Sequence, residues 1–353
     1  MNKILSVVGA RPQFIKSAPV SRALVQAGIQ EVLLHTGQHY DRAMSGVFFD
    51  ELGIRAPDYN LGVGSGSHAI QTAAMLTGVE RVLMDERPDA LLIYGDTNST
   101  LAGALAAAKL GIPIGHVEAG LRSHNRSMPE EINRVVADSL SSVLFCPTGV
   151  AAYNLEQEGV CRGVYIVGDV MYDAVLWAVE QQDDPSAALL ARLDVTSGRY
   201  ILATIHRASN TDDPRNLASI LSALGASGER VIFPVHPRTR KAMHEAGIET
   251  AANVQAIDPV SYLEMLALER NARRVVTDSG GVQKEAFWMA VPCVTVRGET
   301  EWVETVESGW NTLVGTEPAR IMAALQLPRP EGAPPQFYGD GHAARTIAEI
   351  LHG

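Results

Sequence analysis

Short apolar runs alternate along the chain with longer segments whose apolar residues recur every three or four positions. The short runs predict buried strands, and the longer segments predict amphipathic helices. In the first half of the chain, the predicted strands cover residues 4–8, 31–35, 90–94, 112–117, 142–146 and 164–167. The predicted helices cover residues 13–26, 68–85, 99–109, 130–140 and 150–158. This alternation is typical of a parallel sheet covered by helices.

A polar stretch at residues 181–186 interrupts the alternation, which then starts again. A Pro-rich connector at residues 328–335 precedes a last predicted helix at residues 342–351. The strands of the second series are predicted at residues 200–205, 231–235, 254–257, 273–277 and 293–296. Two such series predict an α/β protein with two doubly wound domains that face each other.

Composition and charge narrow the possible functions. A chain of 353 residues with 46% hydrophobic and 20% charged residues is typical of a soluble protein of about two domains. The net charge of -11 argues against nucleic acid as a partner, because binding a phosphate backbone requires concentrated positive charge. The three cysteines form no C-x-x-C pair, and no apolar run approaches the roughly 20 residues that span a bilayer. We therefore expect a cytoplasmic protein without disulfides or a membrane anchor.

Three carboxylates follow predicted strands or open a predicted helix. Asp96 comes just after the strand at residues 90–94, Glu118 ends the strand at residues 112–117, and Glu130 begins a helix. In a parallel sheet the carboxyl ends of the strands share one edge, and ligands bind there. The sequence therefore predicts that the three carboxylates converge on a cleft and carry out acid–base chemistry on a small molecule.

Two of these carboxylates also have a structural explanation. Asp96 is placed to cap a helix, and the helix dipole alone favours an acidic residue such as Glu130 in a first turn. Glu118 is harder to explain in this way, because a carboxylate at the end of an apolar strand is costly to bury. Arg134 follows Glu130 by four residues, so the two are predicted to form an ion pair along the helix.

The turn after the first strand carries two cations. Arg11 and Lys16 lie near the start of a predicted helix in an otherwise acidic protein, which predicts a local site for phosphate or another anion. The alternative is that they belong to a solvated helix face. The turn does not read G-x-G-x-x-G, so a dinucleotide cofactor is not expected there.

A second candidate anion site follows the strand at residues 273–277. Ser279 is suited to cap a helix, and Gly280 and Gly281 allow a ligand to approach the backbone amides closely, which favours a diphosphate. Glu285 lies one turn further along, within reach of neighbouring sugar hydroxyls. His206 ends another strand and is a candidate to carry the charge of a leaving phosphate. The same position at a strand end is shared by His35, His116 and His236.

Taken together, these motifs resemble the non-hydrolysing UDP-N-acetylglucosamine 2-epimerases over nearly the whole chain. The motifs are G-A-R-P-Q-F-I-K (9–16), H-T-G-Q-H (35–39), G-D-T-N-S-T (95–100), H-V-E-A-G-L-R (116–122), P-E-E-I-N-R (129–134), H-R (206–207) and T-D-S-G-G-V-Q-K-E-A (277–286). The resemblance implies a glycosyltransferase-B-type architecture of two facing Rossmann-like domains. It places residues 1–180 with 340–353 in the first domain and residues 181–339 in the second, and it implies a homodimer.

The resemblance also implies the reaction. Such an enzyme removes the C2 proton of the sugar and expels UDP, then adds UDP back while C2 is reprotonated on the opposite face, for the synthesis of surface polysaccharide precursors. No cofactor and no metal are expected. The catalytic residues implied by motif are Asp96, Glu118, Glu130, Arg134 and His206. The substrate-binding residues implied by motif are Arg11, Lys16, Ser279, Gly280, Gly281 and Glu285.

Three segments depart from the common pattern of the family. Residues 300–304 read T-E-W-V-E where many members have T-E-R-P-E, and residues 258–265 also differ. Both variants resemble the branch that acts on the 2,3-diacetamido uronic acid form of the sugar nucleotide. Residues 39–47 lack the glutamine-bearing pattern linked to allosteric substrate binding, so that regulation is not expected. Two other classes of function stay open, namely a retaining glycosyltransferase that uses a UDP-sugar donor and a non-catalytic nucleotide-sugar sensor.

Overall fold

The computed structural model of the chain describes residues 1–38, 53–180 and 186–353. Residues 39–47, on which the expectation about allosteric control depends, lie outside the described residues, as does most of the polar stretch at 181–186. The chain divides into two compact units. The first unit comprises Met1–Glu180 and Gln336–Gly353, and the second comprises Gln181–Pro335.

The first unit contains a parallel sheet with the order β3-β2-β1-β4-β5-β6-β7. Its strands are β1 (Lys3–Val8), β2 (Gln30–His35), β3 (Tyr59–Asn60), β4 (Ala90–Tyr94), β5 (Ile114–Val117), β6 (Val143–Cys146) and β7 (Val164–Ile166). Its helices are α1 (Arg11–Gln26), α2 (His68–Glu86), α3 (Asn98–Leu110), α4 (Pro129–Leu140), α5 (Gly149–Gln157), α6 (Val170–Glu180) and, from the end of the chain, α15 (Ala343–His352).

The second unit contains a parallel sheet with the order β10-β9-β8-β11-β12-β13. Its strands are β8 (Ile201–Thr204), β9 (Val231–Pro234), β10 (Val254–Ile257), β11 (Arg274–Thr277), β12 (Cys293–Thr295) and β13 (Asn311–Leu313). Its helices are α7 (Ser186–Leu193), α8 (Ala208–Thr211), α9 (Pro214–Ala226), α10 (Pro237–Ala246), α11 (Tyr262–Asn271), α12 (Gly280–Trp288), α13 (Val303–Glu307) and α14 (Pro318–Leu325).

Apolar cores on the sheet faces hold these strands in place. In β8 the side chains alternate, so that Ile201 and Ala203 join one buried cluster and Leu202 joins another. A strand that is buried on both faces reads as a continuous apolar run, which is why the strands of both sheets were predictable. In the first unit, Leu5 and Ile93 pack with the buried residues of α2 and α3.

The strands and helices named from the sequence are confirmed to within two residues at each end. Two strands were missed, β3 and β13, because each has only two or three residues and includes polar ones. Among the described residues, no helix is both long and apolar enough to cross a membrane.

Each sheet has one point where the strand order reverses direction. In the first unit this switch point lies between β1 and β4, and in the second it lies between β8 and β11. Ligands of doubly wound sheets bind outside the carboxyl ends of the strands at this point. A ligand-binding site is therefore expected at the residues that follow β1 and β4 and at those that follow β8 and β11.

Candidate active site

A buried glutamine organises the switch point of the first unit. The side-chain oxygen of Gln13 accepts hydrogen bonds from the backbone N–H groups of Gly9 (2.8 Å) and Ala10 (3.1 Å). Its amide nitrogen donates to the carbonyl of Tyr94 (2.8 Å) and to the hydroxyl of Thr100 (3.1 Å). Gln13 thus ties the turn after β1 to the end of β4. Sequence reasoning missed it, because its role depends on strands that are distant in sequence.

Lys16 and Glu118 form a buried ion pair beside this turn. Lys16 Nζ donates to Glu118 Oε2, and the side chains of the two residues are only 9% and 7% exposed. Glu118 has a φ of 70°, a left-handed conformation that costs a non-glycine residue about 1–3 kcal/mol. Such strain persists only where the surrounding structure enforces it, and it is concentrated at functional sites. Glu118 is therefore held in one orientation.

Gly95 makes room for this ion pair. A Cβ at this position would lie 3.0 Å from Lys16 Nζ and 3.2 Å from Glu118 Oε2, and the φ of Gly95 is 61°. Both the space and the backbone conformation therefore require glycine. The turn that carries Asp96 and the end of β5 that carries Glu118 are consequently adjacent, as the sequence predicted.

Arg134 connects two carboxylates, but Glu130 is not one of them. Its guanidinium donates to Asp96 Oδ2 and, at 2.9 Å, to Glu131 Oε2. The ion pair that the sequence predicted between Glu130 and Arg134 is therefore replaced by one with Glu131, three residues away. Glu131 is buried and is fixed by hydrogen bonds from Ser123 and from the backbone N–H of His124 (all 2.9 Å).

Asp96 and Glu130 remain accessible at this edge. The helix-cap role considered for Asp96 belongs to Thr97, whose side chain accepts the N–H of Thr100 at the start of α3. The side chain of Asp96 is 32% exposed, and the backbone carbonyl of Asp96 accepts a hydrogen bond from Asn133 (2.9 Å). Glu130 is half-buried, and its side chain forms no hydrogen bond or ion pair with another residue in the part of the chain that the structure describes.

Buried polar side chains centred on Asp138 hold the turn that carries Asp96. The two ring nitrogens of His116 lie 2.7 Å from Asp138 Oδ1 and 2.7 Å from the carbonyl oxygen of Gly95. A carbonyl oxygen and a carboxylate both accept hydrogen bonds, so His116 lies between two acceptors. Asp138 also accepts from Arg122 Nη1 (2.7 Å) and from the N–H of Gly120 (3.1 Å).

The same network keeps the carboxylate of Asp138 ionised. Burial alone would raise the pKa of Asp138, but the hydrogen bond and charge of His116, together with Arg122, outweigh it and hold the pKa below its usual value. The network fixes the carbonyl of Gly95 and so positions the turn that carries Asp96. In the sequence, His116 was one of four histidines at strand ends, and nothing local distinguished it.

In the second unit, a buried aspartate holds the loop after β8. The Asp278 carboxylate accepts hydrogen bonds from the backbone N–H groups of His206 (3.0 Å) and Arg207 (2.9 Å) and from the side chain of Asn210 (3.0 Å). His206 Nδ1 lies 3.4 Å from Asp278 Oδ1, while the side chain of His206 is 39% exposed. Asp278 therefore fixes the backbone at His206, whose imidazole is partly exposed. Sequence reasoning did not assign this role to Asp278.

The start of α12 is also formed as the sequence predicted. Ser279 is the N-cap, with its hydroxyl accepting the N–H of Val282 at 3.5 Å. A Cβ on Gly280 would lie 3.1 Å from Trp302 Nε1, so the indole closes one side of this helix start. Trp302 is buried, and the ammonium of Lys284 lies 3.7 Å from its ring centroid. The half-buried Gly280 and Gly281 leave their amides at the edge of the sheet.

Glu285, which the sequence analysis proposed as a contact for the ribose, is largely shielded from solvent. It is buried, and its carboxylate accepts a hydrogen bond from the hydroxyl of Tyr262 (3.0 Å). Glu269 is fully buried nearby, and burial together with the negative charge of Glu285 raises the pKa of Glu269 well above its usual value. Of the two predicted cations, Lys16 is compensated by Glu118, while Arg11 is the first residue of α1 and is partly exposed.

Known proteins resemble this chain over almost its entire length. Residues 22–352 match the family described as UDP-N-acetylglucosamine 2-epimerase. A UDP-N-acetylglucosamine 2-epimerase homolog of Methanococcus maripaludis is 51% identical, and a UDP-2,3-diacetamido-2,3-dideoxy-D-glucuronate 2-epimerase of Pseudomonas aeruginosa is 49% identical, each alignment covering 99% of both chains. A solved UDP-GlcNAc 2-epimerase of Methanocaldococcus jannaschii, in complex with UDP-GlcNAc and UDP, has a TM-score of 0.92 and 41% identity over 99% of both chains. These matches confirm the glycosyltransferase-B-type fold class predicted from the sequence.

Proposed function

This chain belongs to the UDP-N-acetylglucosamine 2-epimerase family and is an isomerase, and we propose that it inverts C2 of a UDP-2-acetamido sugar through loss and return of the C2 proton. The observation that carries this proposal is the placement of Asp96 and Glu118 after the neighbouring strands β4 and β5, next to the switch point of the first sheet. Each carboxylate is paired with a cation, Arg134 or Lys16, which favours its ionised form.

In the proposed reaction, a carboxylate takes the C2 proton and the C2–H electron pair forms a C1=C2 double bond. The C1–O bond breaks at the same time, and UDP leaves with that electron pair. The return step remakes the C1–O bond and delivers a proton to the other face of C2. Asp96, Glu118 and Glu130 are the proposed acid–base groups, and Arg134 positions Asp96 through the ion pair described above. The half-buried Glu130 has the accessibility that contact with a substrate requires.

The second unit is proposed to hold UDP while the sugar reacts. The helix start capped by Ser279 would bind the diphosphate through the amides of Gly280 and Gly281, because a helix start presents N–H groups and a positive dipole end to an anion. His206 is proposed to stabilise the leaving diphosphate, and Glu285 to contact the ribose. Arg11 and Lys16 are the proposed substrate contacts of the first unit. This assigns acid–base chemistry to residues 1–180 with 340–353, and UDP binding to residues 181–339.

Solvent isotope incorporation tests this mechanism. The purified protein, supplied with a UDP-2-acetamido sugar in heavy water and no added cofactor, is expected to place deuterium at C2 of the product. Epimerisation without deuterium at C2 would rule out exchange through a protein carboxylate. Consumption of the UDP-sugar only in the presence of an acceptor would instead indicate a glycosyltransferase, and binding without turnover would indicate a sensor.

We further propose that the sugar is the 2,3-diacetamido uronate. Trp302, which departs from the common family pattern, lies against Gly280 at the proposed diphosphate site. A carboxylate at C6 needs a cation, and the sequence offered Arg11, Lys16, Arg122 and Arg207. Lys16 and Arg122 are already bound to carboxylates.

Of the other two, Arg207 is half-buried, and its Nη2 would lie 3.9 Å from a Cβ on Gly280. We therefore expect a higher kcat/KM for the uronate than for UDP-N-acetylglucosamine, and we expect Arg207→Met to lower only the former by roughly tenfold. A higher kcat/KM for UDP-N-acetylglucosamine in the unmodified protein would refute the uronate proposal and leave the epimerase proposal intact.

We also propose that the protein is a cytoplasmic homodimer that needs neither metal nor nicotinamide cofactor. Light scattering coupled to gel filtration gives the mass of the assembly directly. Twice the mass of one chain, 37.9 kDa, is expected, and a mass equal to one chain would contradict this proposal. Full activity after chelation and exhaustive dialysis is expected for the same preparation.

A further inference from the structure

A cavity of about 460 Å³ lies in the second unit at the amino ends of its strands, where α11 ends and where β11 and β12 begin. The residues proposed to hold UDP follow the carboxyl ends of β8 and β11, so this cavity lies at the other edge of the same sheet. Four arginines line it, namely Arg270, Arg273, Arg274 and Arg329. None of the residues that line it is an aspartate or a glutamate.

The charge of this arginine cavity is only partly neutralised. Arg273 forms two hydrogen bonds with the Glu229 carboxylate, at 2.6 and 2.5 Å. Within the described residues, Arg270, Arg274 and Arg329 form no ion pair with a carboxylate. Four guanidinium groups and one carboxylate leave a net charge of about +3 in a protein whose overall charge is -11.

Arg274 has a buried hydrogen-bond donor without an acceptor in the described structure. It is 3% exposed, and its Nη2 donates to the carbonyl of Leu327 at 2.6 Å. Its buried Nε–H has no hydrogen-bond partner among the described residues. A buried, charged donor is costly to leave unsatisfied. Burial and, less strongly, the neighbouring Arg273 lower the pKa of Arg274 in spite of the opposing charge of Glu229.

A purely structural role explains only part of this arrangement. Arg273 and Arg274 donate to the carbonyls of Leu325 (3.3 Å) and Leu327 (2.6 Å), at and just after the end of α14, where cations are favoured. That role does not require Arg270 or Arg329, and it does not satisfy the Nε–H of Arg274. It also does not require a cavity.

We propose that this cavity binds a small molecule through a phosphate or diphosphate group. Arginine is suited to phosphate because its planar guanidinium presents parallel N–H donors to two oxygens at once. A cavity of about 460 Å³ has the size of a metabolite site. Its charge of about +3 is opposite in sign and close in magnitude to the charge of about −3 that inorganic pyrophosphate carries near neutral pH. The inference does not depend on the proposed function, because no residue of the cavity takes part in it.

Calorimetric titration with inorganic pyrophosphate tests the proposal on the full chain. The cavity variant is Arg270→Gln with Arg329→Gln, two exposed side chains whose replacement leaves the core intact. The matched control is Arg215→Gln with Arg320→Gln, which removes the same charge from exposed positions of the same unit outside the cavity. We expect pyrophosphate to bind roughly tenfold more weakly to the cavity variant and within about twofold of the unmodified protein to the control. UDP affinity should be the same in all three proteins.

Arginine NMR gives the location of the ligand. The Nε–Hε resonance of Arg274, assigned by its loss in Arg274→Lys, is expected to shift as pyrophosphate is added, because Arg274 lines the cavity and a bound anion changes the electric field at its guanidinium. An unshifted resonance would overturn the proposal, as would identical titrations of the cavity and control variants. Identical titrations would mean that pyrophosphate binds only elsewhere, for example at the start of α12.

Discussion

The two units share a strand order, yet the groups at their switch points differ in kind. At the carboxyl ends of β4 and β5 the first unit presents two carboxylates, Asp96 and Glu118, each paired with a cationic side chain. At the carboxyl ends of β8 and β11 the second unit presents a capped helix start and a loop whose backbone amides are gathered by Asp278. We propose that one fold supports proton transfer in one copy and anion binding in the other, and that a few residues after each strand decide which.

The proposed roles require different properties of the carboxylates in the first unit and the backbone amides in the second. A carboxylate that gives and takes a proton must be held in place while staying able to titrate, and a buried ion pair with Lys16 or Arg134 restricts its orientation. A group that holds a diphosphate must not titrate, and backbone amides have no proton to lose near neutral pH. The following experiments test this contrast, from the largest expected effect to the smallest.

The largest effect is expected from the carboxylates of the first unit. Asp96→Asn, Glu118→Gln and Glu130→Gln are each expected to lower kcat by roughly 10²–10⁴, the usual contribution of a positioned acid–base group. UDP affinity, measured by calorimetry, should change little, because UDP is proposed to bind the second unit. Glu156→Gln, at an exposed position of the first unit, is the control. Near-normal turnover in all three variants would show that the acid–base chemistry lies elsewhere.

Asp173, in the first unit, is expected to make the free energy of unfolding depend on pH. The Asp173 carboxylate accepts the backbone N–H groups of Ala343 (3.1 Å) and Ala344 (2.8 Å) at the start of α15. Burial raises the pKa of Asp173 to about 6 in spite of these bonds. The folded state therefore binds the proton more tightly than the unfolded chain, so this group's contribution to the free energy of unfolding falls as pH rises from about 4 to about 6.

Asp173→Asn removes this dependence. The difference in the free energy of unfolding between the variant and the unmodified protein should change by about 3 kcal/mol between pH 4 and pH 7, in favour of the variant at the higher pH. Urea denaturation at the two pH values gives this difference, and other titrating groups cancel in it. A constant difference would mean that Asp173 titrates near its unfolded value.

Substitution of His116 tests whether its buried hydrogen bonds position the turn that carries Asp96. We expect His116→Gln to lower the free energy of unfolding by about 1–3 kcal/mol, because Asp138 and the Gly95 carbonyl lose donors. A drop in kcat of roughly tenfold should accompany it, with KM little changed. Unchanged stability and unchanged kcat in His116→Gln would show that these hydrogen bonds do not position the turn that carries Asp96.

The smallest effect is expected at the start of α12. Gly280→Ala places a methyl group 3.1 Å from Trp302 Nε1, which requires the indole to shift by a few tenths of an ångström. We expect UDP to bind roughly tenfold more weakly, equivalent to about 1.4 kcal/mol. Gly149→Ala is the matched control, since Gly149 is also the first residue of a helix and a Cβ there meets nothing within 4 Å. Equal UDP affinity in both variants would mean that this helix start does not contact the nucleotide.

The sequence by itself determined most of the helices and strands and the cap at the start of α12. Apolar runs identified the strands, since a strand buried on both faces has a continuous signal, whereas β3 and β13 were too short to give one. The N-cap of α12 was also readable, because Ser279 acts on an amide three residues away. Hydrogen bonds between residues a few positions apart can be predicted from the local sequence, because both partners lie in the same short segment.

Only the tertiary structure decided which charges pair. Glu130 and Glu131 both lie within one helical turn of Arg134, and local spacing does not choose between them. Glu131 was selected because Ser123 and His124, in the loop that precedes the helix, bind its carboxylate. Gln13, His116 and Asp278 were likewise identified as supports only once distant strands had come together. The free energy of a buried hydrogen bond or charge depends on every partner that replaces water around it, and those partners come from residues far apart in the chain.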